Sequence, residues 1–393
     1  MTAAPVPPTA APVPPTATPV PPAPGHGTAQ REGYAGLAAR GLACLGRLFG
    51  QEPGFAGVAQ DAVDLLFGTW GHRTARGIDE PEAARGRAPF EFSLVMKDRG
   101  PEIRIFLRPL SDEGPTTATA SWENGWRTLR ALEECGAASL TRARTVRDLF
   151  VPRSEQAAFG MCVAATVRPT GVADAKVYFD TLAAGTADNR RVIGEAMDRL
   201  GHGAAWRWLR RHDAEGMTRL MPAFLALDLD DSPRARTKFY TTVDERSGDA
   251  LRTRLTRLSG VAGRKADGLL RALSADGPDA LAGPGTRPTL CWNLSEPGAE
   301  RPDDATLYVP FQRYTPSGSE ALARLRPHVR PADLTRLARL LAHGAVEEGQ
   351  PQAGEHGPNP FHWAAAKLNR EARDPLTLYV SAAIVDRASG AES

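Results

Sequence analysis

Lysine or threonine followed two residues later by tyrosine recurs four times in this chain: Lys176 and Tyr178 in AKVYFD, Lys238 and Tyr240 in TKFYTT, Thr306 and Tyr308 in TLYVPF, and Thr377 and Tyr379 in TLYVSA. The chain has only six tyrosines, and its lysines are confined to Lys97, Lys176, Lys238, Lys265 and Lys367. Arginine supplies the rest of the positive charge and joins the pattern at Arg236, in ARTKFY, and at Arg104, in IRIFLR. Arg and Lys gathered on one face without many carboxylates repel one another and call for an anion, and a diphosphate suits their geometry. Tyrosine rings beside them present negative faces that attract a cation, and ring edges that exclude water. Together these features suit the ionisation of an allylic diphosphate. The basic residues would hold the leaving group, and the rings would shield the allyl cation until a nucleophile captures it.

Such spacing works only on strands, where residues i and i+2 share a face. EFSLVM (91–96) and IRIFLR (103–108) flank a KDRGPE turn, and four more pairs follow. MCVAATVR and AKVYFD flank PTGVAD, FLALDL and ARTKFYTT flank DDSPR, TLCWNL and ATLYVPF flank SEPGAERPDD, and FHWAAAKL and LTLYVSAAI flank NREARDP. Five hairpins predict ten antiparallel strands. Helical spacing appears over 34–49 and 55–70, and again between the hairpins in WRTLRALEE, NRRVIGEAMDRL, RKADGLLRAL and ADLTRLARLLAHG. The expected fold is therefore α/β: a ten-stranded antiparallel β-barrel with a central solvent-filled lumen, surrounded by α-helices in repeated α-β-β-α units. Closure removes both sheet edges, and ten strands leave a lumen wider than side chains alone fill. Val177, Phe179, Phe239, Leu307 and Leu378 would face the helices. Arg104, Lys176, Arg236, Lys238, the four tyrosines and Thr306 would line the lumen.

Composition narrows the alternatives. The 393 residues are 42 % hydrophobic, with 48 Lys plus Arg against 46 Asp plus Glu, so no charge excess recruits nucleic acid or a membrane surface. The expected partners are small-molecule substrates, and the chain is expected to be a monomer or homodimer. Cys44, Cys135, Cys162 and Cys291 lie far apart, with no CxxC and no His at ligand spacing, which predicts free buried thiols and no metal site. Residues 1–31, opening MTAAPVPPTAAPVPPTATPVPPAPG, read as a disordered, partly polyproline II extension. They lack the basic start and apolar core of a signal peptide, and no later segment suits a membrane span, so a cytoplasmic location is expected. Residues 32–393 remain as a single catalytic domain.

These segments resemble the dimethylallyltryptophan synthase type of aromatic prenyltransferases over nearly the whole chain after the Pro-rich stretch. The resemblance implies a ten-stranded prenyltransferase barrel, no cofactor and no requirement for magnesium. PFEFS (89–93) looks like the family's acceptor motif, implying that Glu91 hydrogen-bonds the indole N–H and raises the ring's nucleophilicity. IRIFLRP is similar to the first diphosphate strand and carries that role onto Arg104. KVY carries it onto Lys176 with Tyr178, and RTKFY onto Arg236 and Lys238 with Tyr240. Tyr308 and Tyr379 match the later tyrosine positions of the cation shield. Three departures stand out. Arg168, in TVRP, is the nearest match to a lysine proposed in the family as proton acceptor; arginine hardly deprotonates, so Arg168 is expected to bind diphosphate or acceptor instead. Thr306 stands where many members have a longer amide side chain, and Arg108 replaces an acidic residue.

Other signals read differently in context. LDLDDSP formally contains the DxDD acid of proton-initiated terpene cyclases, but it leads from a strand into a Pro-containing turn, so Asp228, Asp230 and Asp231 read as turn residues. Asp303 and Asp304 open a strand, and no DDxxD run offers a magnesium site. GHGAAWRWLRRHD reads as a packed helix with a solvated face, and His362 lies on a predicted inner strand within reach of substrate, although a lone histidine is more often structural. No GxxxxGK[ST], Rossmann fingerprint, GxSxG or HExxH is present. The expected function is transfer of a dimethylallyl or geranyl group from its diphosphate to the indole ring of tryptophan or a tryptophan-derived cyclic dipeptide or indolactam, a reaction of secondary metabolism. The alternatives are a non-catalytic barrel that binds a phosphorylated or lipidic ligand, and a prenyltransferase of the same fold acting on phenols.

Overall fold

A computed structural model describes residues 33–51, 53–74, 88–154, 157, 159–212, 222–242, 248–259, 262–274, 287–344, 359–368, 376–382 and 385. The expected Pro-rich extension and the NREARDP link lie outside these residues. Ten strands form one closed antiparallel barrel: β1 (Phe90–Val95), β2 (Glu102–Leu107), β3 (Met161–Arg168), β4 (Gly171–Asp180), β5 (Pro222–Asp228), β6 (Thr237–Thr242), β7 (Thr289–Leu294), β8 (Asp304–Val309), β9 (Phe361–Lys367) and β10 (Thr377–Val380). Each pairs with its sequence neighbours, and β1 closes the ring against β10 through Phe92 opposite Val380 and Ser93 opposite Tyr379. No strand is left with an open edge.

The alternation that predicted the strands also sorts the cores. Outward residues such as Phe92, Ile105, Val177, Phe239, Leu307 and Leu378 are buried in one large apolar cluster with the helices. These include α1 (Tyr34–Leu48), α2 (Phe55–Phe67), α3 (Ala118–Glu134), α4 (Thr141–Val146), α5 (Asn189–Arg199) and α6 (Gly203–His212), with further helices over Gly248–Ser259, Ala262–Leu273, Gly318–Leu325 and Pro331–Gly344. The side-chain oxygen of Thr117 accepts from the Ala120 amide and starts α3. Its first turn then lies so close to the start of β3 that a Cβ on Gly160 would meet the Ala118 carbonyl oxygen at 2.2 Å. α6 buries Trp206 and Leu209 and exposes Arg210 and Arg211, as its sequence implied. A second, separate cluster of Ala226, Tyr240 and Cys291, with Tyr178, Phe224 and Tyr308 against it, lies inside the barrel.

Three expectations need correction. β8 ends at Val309 rather than running on to Phe311, because Pro310 has no amide for the ladder and leads into a short helix over Phe311–Tyr314. The PTGVAD link is mostly strand, with Arg168 paired to Gly171 across a two-residue turn, and a shift of register beyond it leaves Asp174 at φ 47°. Cys44, Cys162 and Cys291 are buried, but Cys135 is exposed rather than buried.

Phe179 tests the outer core. It is fully buried and stacks on Phe150 at 4.9 Å. Phe179→Ala should destabilise the barrel by about 3–5 kcal/mol, measured by denaturant unfolding, whereas the conservative change of its inward neighbour, Tyr178→Phe, should leave the unfolding midpoint close to that of the parent.

Candidate active site

The even-numbered strands of an antiparallel meander run parallel to one another, and here each carries a polar residue and then, two positions on, an aromatic one. The pairs are Arg104 and Phe106 on β2, Lys176 and Tyr178 on β4, Lys238 and Tyr240 on β6, Thr306 and Tyr308 on β8, and Thr377 and Tyr379 on β10. Two strand residues span roughly 7 Å, so the barrel interior is layered. Arg104, Lys176, Lys238, Thr306 and Thr377 line a cavity of about 750 Å³ at one mouth, together with Arg168 and Arg236. Below them the aromatic rings form a belt, with centroids 5.1 Å apart for Phe106 and Tyr178, 6.0 Å for Tyr178 and Tyr240, 5.7 Å for Tyr240 and Tyr308, and 5.8 Å for Tyr308 and Tyr379. Burial keeps the phenols neutral, pushing Tyr379 up to about 12 and Tyr240 and Tyr308 well above their ordinary value.

The mouth is not the carboxylate-poor face that the sequence suggested. Register brings an anion beside most of the cations. Asp228, opposite Lys176 on β5, accepts from Arg236 Nε at 2.7 Å and lies 3.8 Å from Lys176 Nζ. Glu102 lies 3.1 Å from Arg104 and 3.7 Å from Arg168, and Asp304 lies 3.0 Å from Lys367. Asp228 is thus a lumen residue, while its neighbour Asp230 is the turn former, accepting from the Ser232 amide at 2.9 Å. Burial alone would raise the Asp228 carboxyl, but Lys238, Lys176 and Arg236 together outweigh it and hold it at about 2. Burial and the nearby Lys238 pull Lys176 down to about 7, and burial with Arg236 pulls Lys238 to about 8. Lys238 makes no hydrogen bond or salt bridge to a described residue. Outside the barrel, Arg142 on α4 clamps the same hairpin by donating to the carbonyls of Asp228 and Arg236 at 3.3 Å and to Thr237 Oγ1 at 2.7 Å.

Arg168 lies at the rim, ion-paired to Asp174 at 2.5 Å and half exposed, on the mouth side of the belt rather than beside Glu91. Thr306 accepts from Asn293 Nδ2 at 3.4 Å, so an amide absent from β8 is offered by β7. Glu91 is level with the belt ring Phe106, opposite it in the β1–β2 ladder, and two residues before Ser93, which faces Tyr379. Its Oε2 is 4.0 Å from His362 Nδ1, and a register shift between Tyr379 and Val380 leaves His362 as the extra residue of β9. Burial raises the Glu91 carboxyl to about 8. Sequence reasoning did not select Glu102, Asn293, Asp304 or Lys367, and it read Asp228 and His362 as structural. Strand period alone places Lys367 on the inner face with Trp363 and Ala365, and was the available signal.

A closed ten-stranded barrel inside a helical shell, with a cationic mouth above a tyrosine belt, defines the aromatic prenyltransferase class. The model of the tryptophan dimethylallyltransferase family matches residues 82–340, and the chain belongs to that family and is a prenyltransferase. No curated protein sequence matches it. Its fold is similar to that of a 6-dimethylallyl tryptophan synthase, with a TM-score of 0.75 and 24 % identity over 90 % of this chain and 97 % of that one. A 5-dimethylallyl tryptophan synthase from Streptomyces coelicolor, solved in complex with DMASPP and Trp, gives 0.74 and 24 % over 91 % and 97 %. The 6-dimethylallyltryptophan synthase from Micromonospora olivasterospora, also with DMASPP and Trp, gives 0.75 and 23 % over 90 % and 98 %.

The Glu91 shift carries a stability consequence. Its folded value, about 8, lies above its ordinary 4.5. Burial therefore costs nothing below about pH 4.5, and the cost grows as pH rises until the group ionises above about pH 8. Glu91→Gln should match the parent in urea unfolding at about pH 3.5, below the ordinary carboxyl value, and be more stable than it at pH 9.

Proposed function

We propose that this chain moves a dimethylallyl or geranyl group from its diphosphate to the indole ring of tryptophan or a tryptophan-derived metabolite, without an obligatory metal, in secondary metabolism. The observation that carries this reading is the two-residue offset between cation and aromatic on the same strands. It stacks a diphosphate seat directly above a cation cage. Arg104, Lys176, Arg236 and Lys238 hold the diphosphate, supplying the positive charge that a metal would otherwise bring. A bound diphosphate also favours the charged forms of Lys176 and Lys238, which burial opposes. As the C–O bond breaks, Tyr178, Tyr240, Tyr308 and Tyr379 present their faces to the allyl cation and keep water away. Two neighbours of the same fold were solved with a donor analogue and tryptophan together, which supports a two-substrate lumen here.

Glu91 orients the acceptor from beside the belt. Its carboxyl is neutral near pH 7 before the acceptor arrives, and the indole N–H becomes more acidic as the ring is alkylated. Glu91 gives up its proton to solvent as the acceptor binds, and the resulting carboxylate, facing that N–H, stabilises the charge that develops on the ring. The ring carbon forms the new C–C bond with its own π electrons after the donor's C–O bond has broken, and its proton then passes to the released diphosphate, which restores the aromatic ring. Arg168, at the rim, serves the diphosphate rather than the acceptor, and Thr306 with Asn293 completes the wall of the seat. Residues 32–393 form the catalytic domain and 1–31 a Pro/Ala-rich extension. The protein works in the cytoplasm as a monomer or homodimer; among the described residues no helix is long and apolar enough to cross a membrane.

Incubation with EDTA, dimethylallyl or geranyl diphosphate, and a panel of tryptophan, tryptophan-containing cyclic dipeptides, indolactam and phenolic acids tests this directly. Mass spectrometry should find a prenylated indole, and Glu91→Ala should lower its rate of formation by about 100-fold or more. Diphosphate binding with no product from any acceptor would favour a carrier, and prenylation of phenols alone would overturn the indole assignment.

A further inference from the structure

Among the described residues, Asp228 is the one carboxylate set among Lys176, Arg236 and Lys238, and holding an anion does not by itself require it. It is 6 % exposed, at the mouth end of β5 with its side chain toward the lumen. Oδ2 accepts from Arg236 Nε at 2.7 Å and from the Arg236 amide at 3.3 Å. Oδ1 takes no hydrogen bond, although it lies 3.8 Å from Lys176 Nζ, which donates instead to the Asp174 carbonyl at 3.2 Å. A buried carboxylate with a purely structural role would use both oxygens, since an unmade hydrogen bond to a charged group is expensive. The hairpin backbone has a hold besides the Asp228 carboxylate, because Arg142 binds the carbonyls of Asp228 and Arg236 from outside the barrel.

We infer that Asp228 is a positioning residue that takes the place of diphosphate between turnovers, holding Lys176 and Arg236 toward the lumen and weakening their grip on the product diphosphate. This rests on the diphosphate reading above. Three cations that converge on one cavity repel one another, and a single interposed anion lets them keep their aim. The same anion lies beside the phosphate oxygens once substrate enters and opposes them. Because the product diphosphate meets the same cations as the substrate's and carries one more anionic oxygen, a seat that grips too tightly would slow release of product. A carboxylate with one uncommitted oxygen, beside a flexible lysine, supplies that opposition.

Calorimetric titration of the full-length protein with inorganic diphosphate in EDTA, comparing Asp228→Asn and Asp228→Glu with the parent, tests the inference. Asp228→Asn should bind diphosphate about tenfold or more tightly, and Asp228→Glu, whose longer arm drives the charge further into the seat, should bind more weakly. With allylic diphosphate and acceptor, Asp228→Asn should lower both KM and kcat in the steady state while a single turnover keeps the parental rate. If both variants bind more weakly, Asp228 only maintains structure and the inference fails. Should Asp228→Asn not fold, Asp228→Glu decides, and affinity equal to or above the parent's overturns the assignment. A parent protein that binds no diphosphate overturns the diphosphate reading itself, whereas a parent that binds beside an Asn variant that binds no tighter overturns the Asp228 role alone.

Discussion

Lys176, Arg236 and Lys238 point into one lumen with Asp228 among them, and this buried exchange of charge is the constraint around which the rest of the barrel is arranged. Ammonium and guanidinium groups removed from water lose hydration that only a nearby anion restores. Closing ten strands on themselves holds those groups where they cannot swing out to solvent, so the protein must supply either a carboxylate or a ligand. Asp228, Glu102 and Asp304 fill that need at three points of the mouth. Lys176 and Lys238 remain undercompensated, and burial pulls both ammonium groups toward neutrality. A polyanion is the ligand that relieves this, and the function follows from that electrostatic need more directly than from any single residue.

The antiparallel meander makes the layering economical. Because every second strand runs in the same direction, one repeated two-residue offset on β2, β4, β6, β8 and β10 places all the aromatic rings at one depth and their polar partners at the next. The intervening strands contribute small groups, Ala226 and Cys291, that let the rings meet edge to face. The protein thereby fixes a separation of its own groups: the cationic mouth at one level, and at the next the aromatic belt with the buried Glu91 carboxyl beside Phe106. The helices take no direct part among the described contacts, yet they cover the apolar outer face, and Arg142 reaches from α4 to hold the β5–β6 hairpin that carries two of the cations.

Much of this was legible before any coordinates. Period-two alternation identified every hairpin, and the recurrence of tyrosine two residues after Lys or Thr identified the face that matters, because a strand has no other way to bring such residues together. What alternation cannot reveal is who stands opposite whom. Glu102 beside Arg168, Asp304 beside Lys367 and Asp228 beside Lys176 are pairs between strands, set by register and by the stagger of a closed barrel, and DxDD in a linear reading looks like a turn. Pro310 ended β8 early for a local reason, the missing amide, that a repeat pattern overrode.

The sequence by itself determined the residue types, their faces and the closed antiparallel architecture, since these follow from local periodicity and from the need to pair every edge. Only the tertiary structure decided the charge states of the site. Glu91 as a carboxyl near pH 8, Lys176 near 7 and Asp228 near 2 depend on burial and on cations arriving from other strands. The extra residue in β9 that brings His362 to Glu91 is likewise a matter of pairing. Electrostatic energy in a desolvated lumen depends on distances between residues far apart in the chain, and those distances exist only once the barrel has closed.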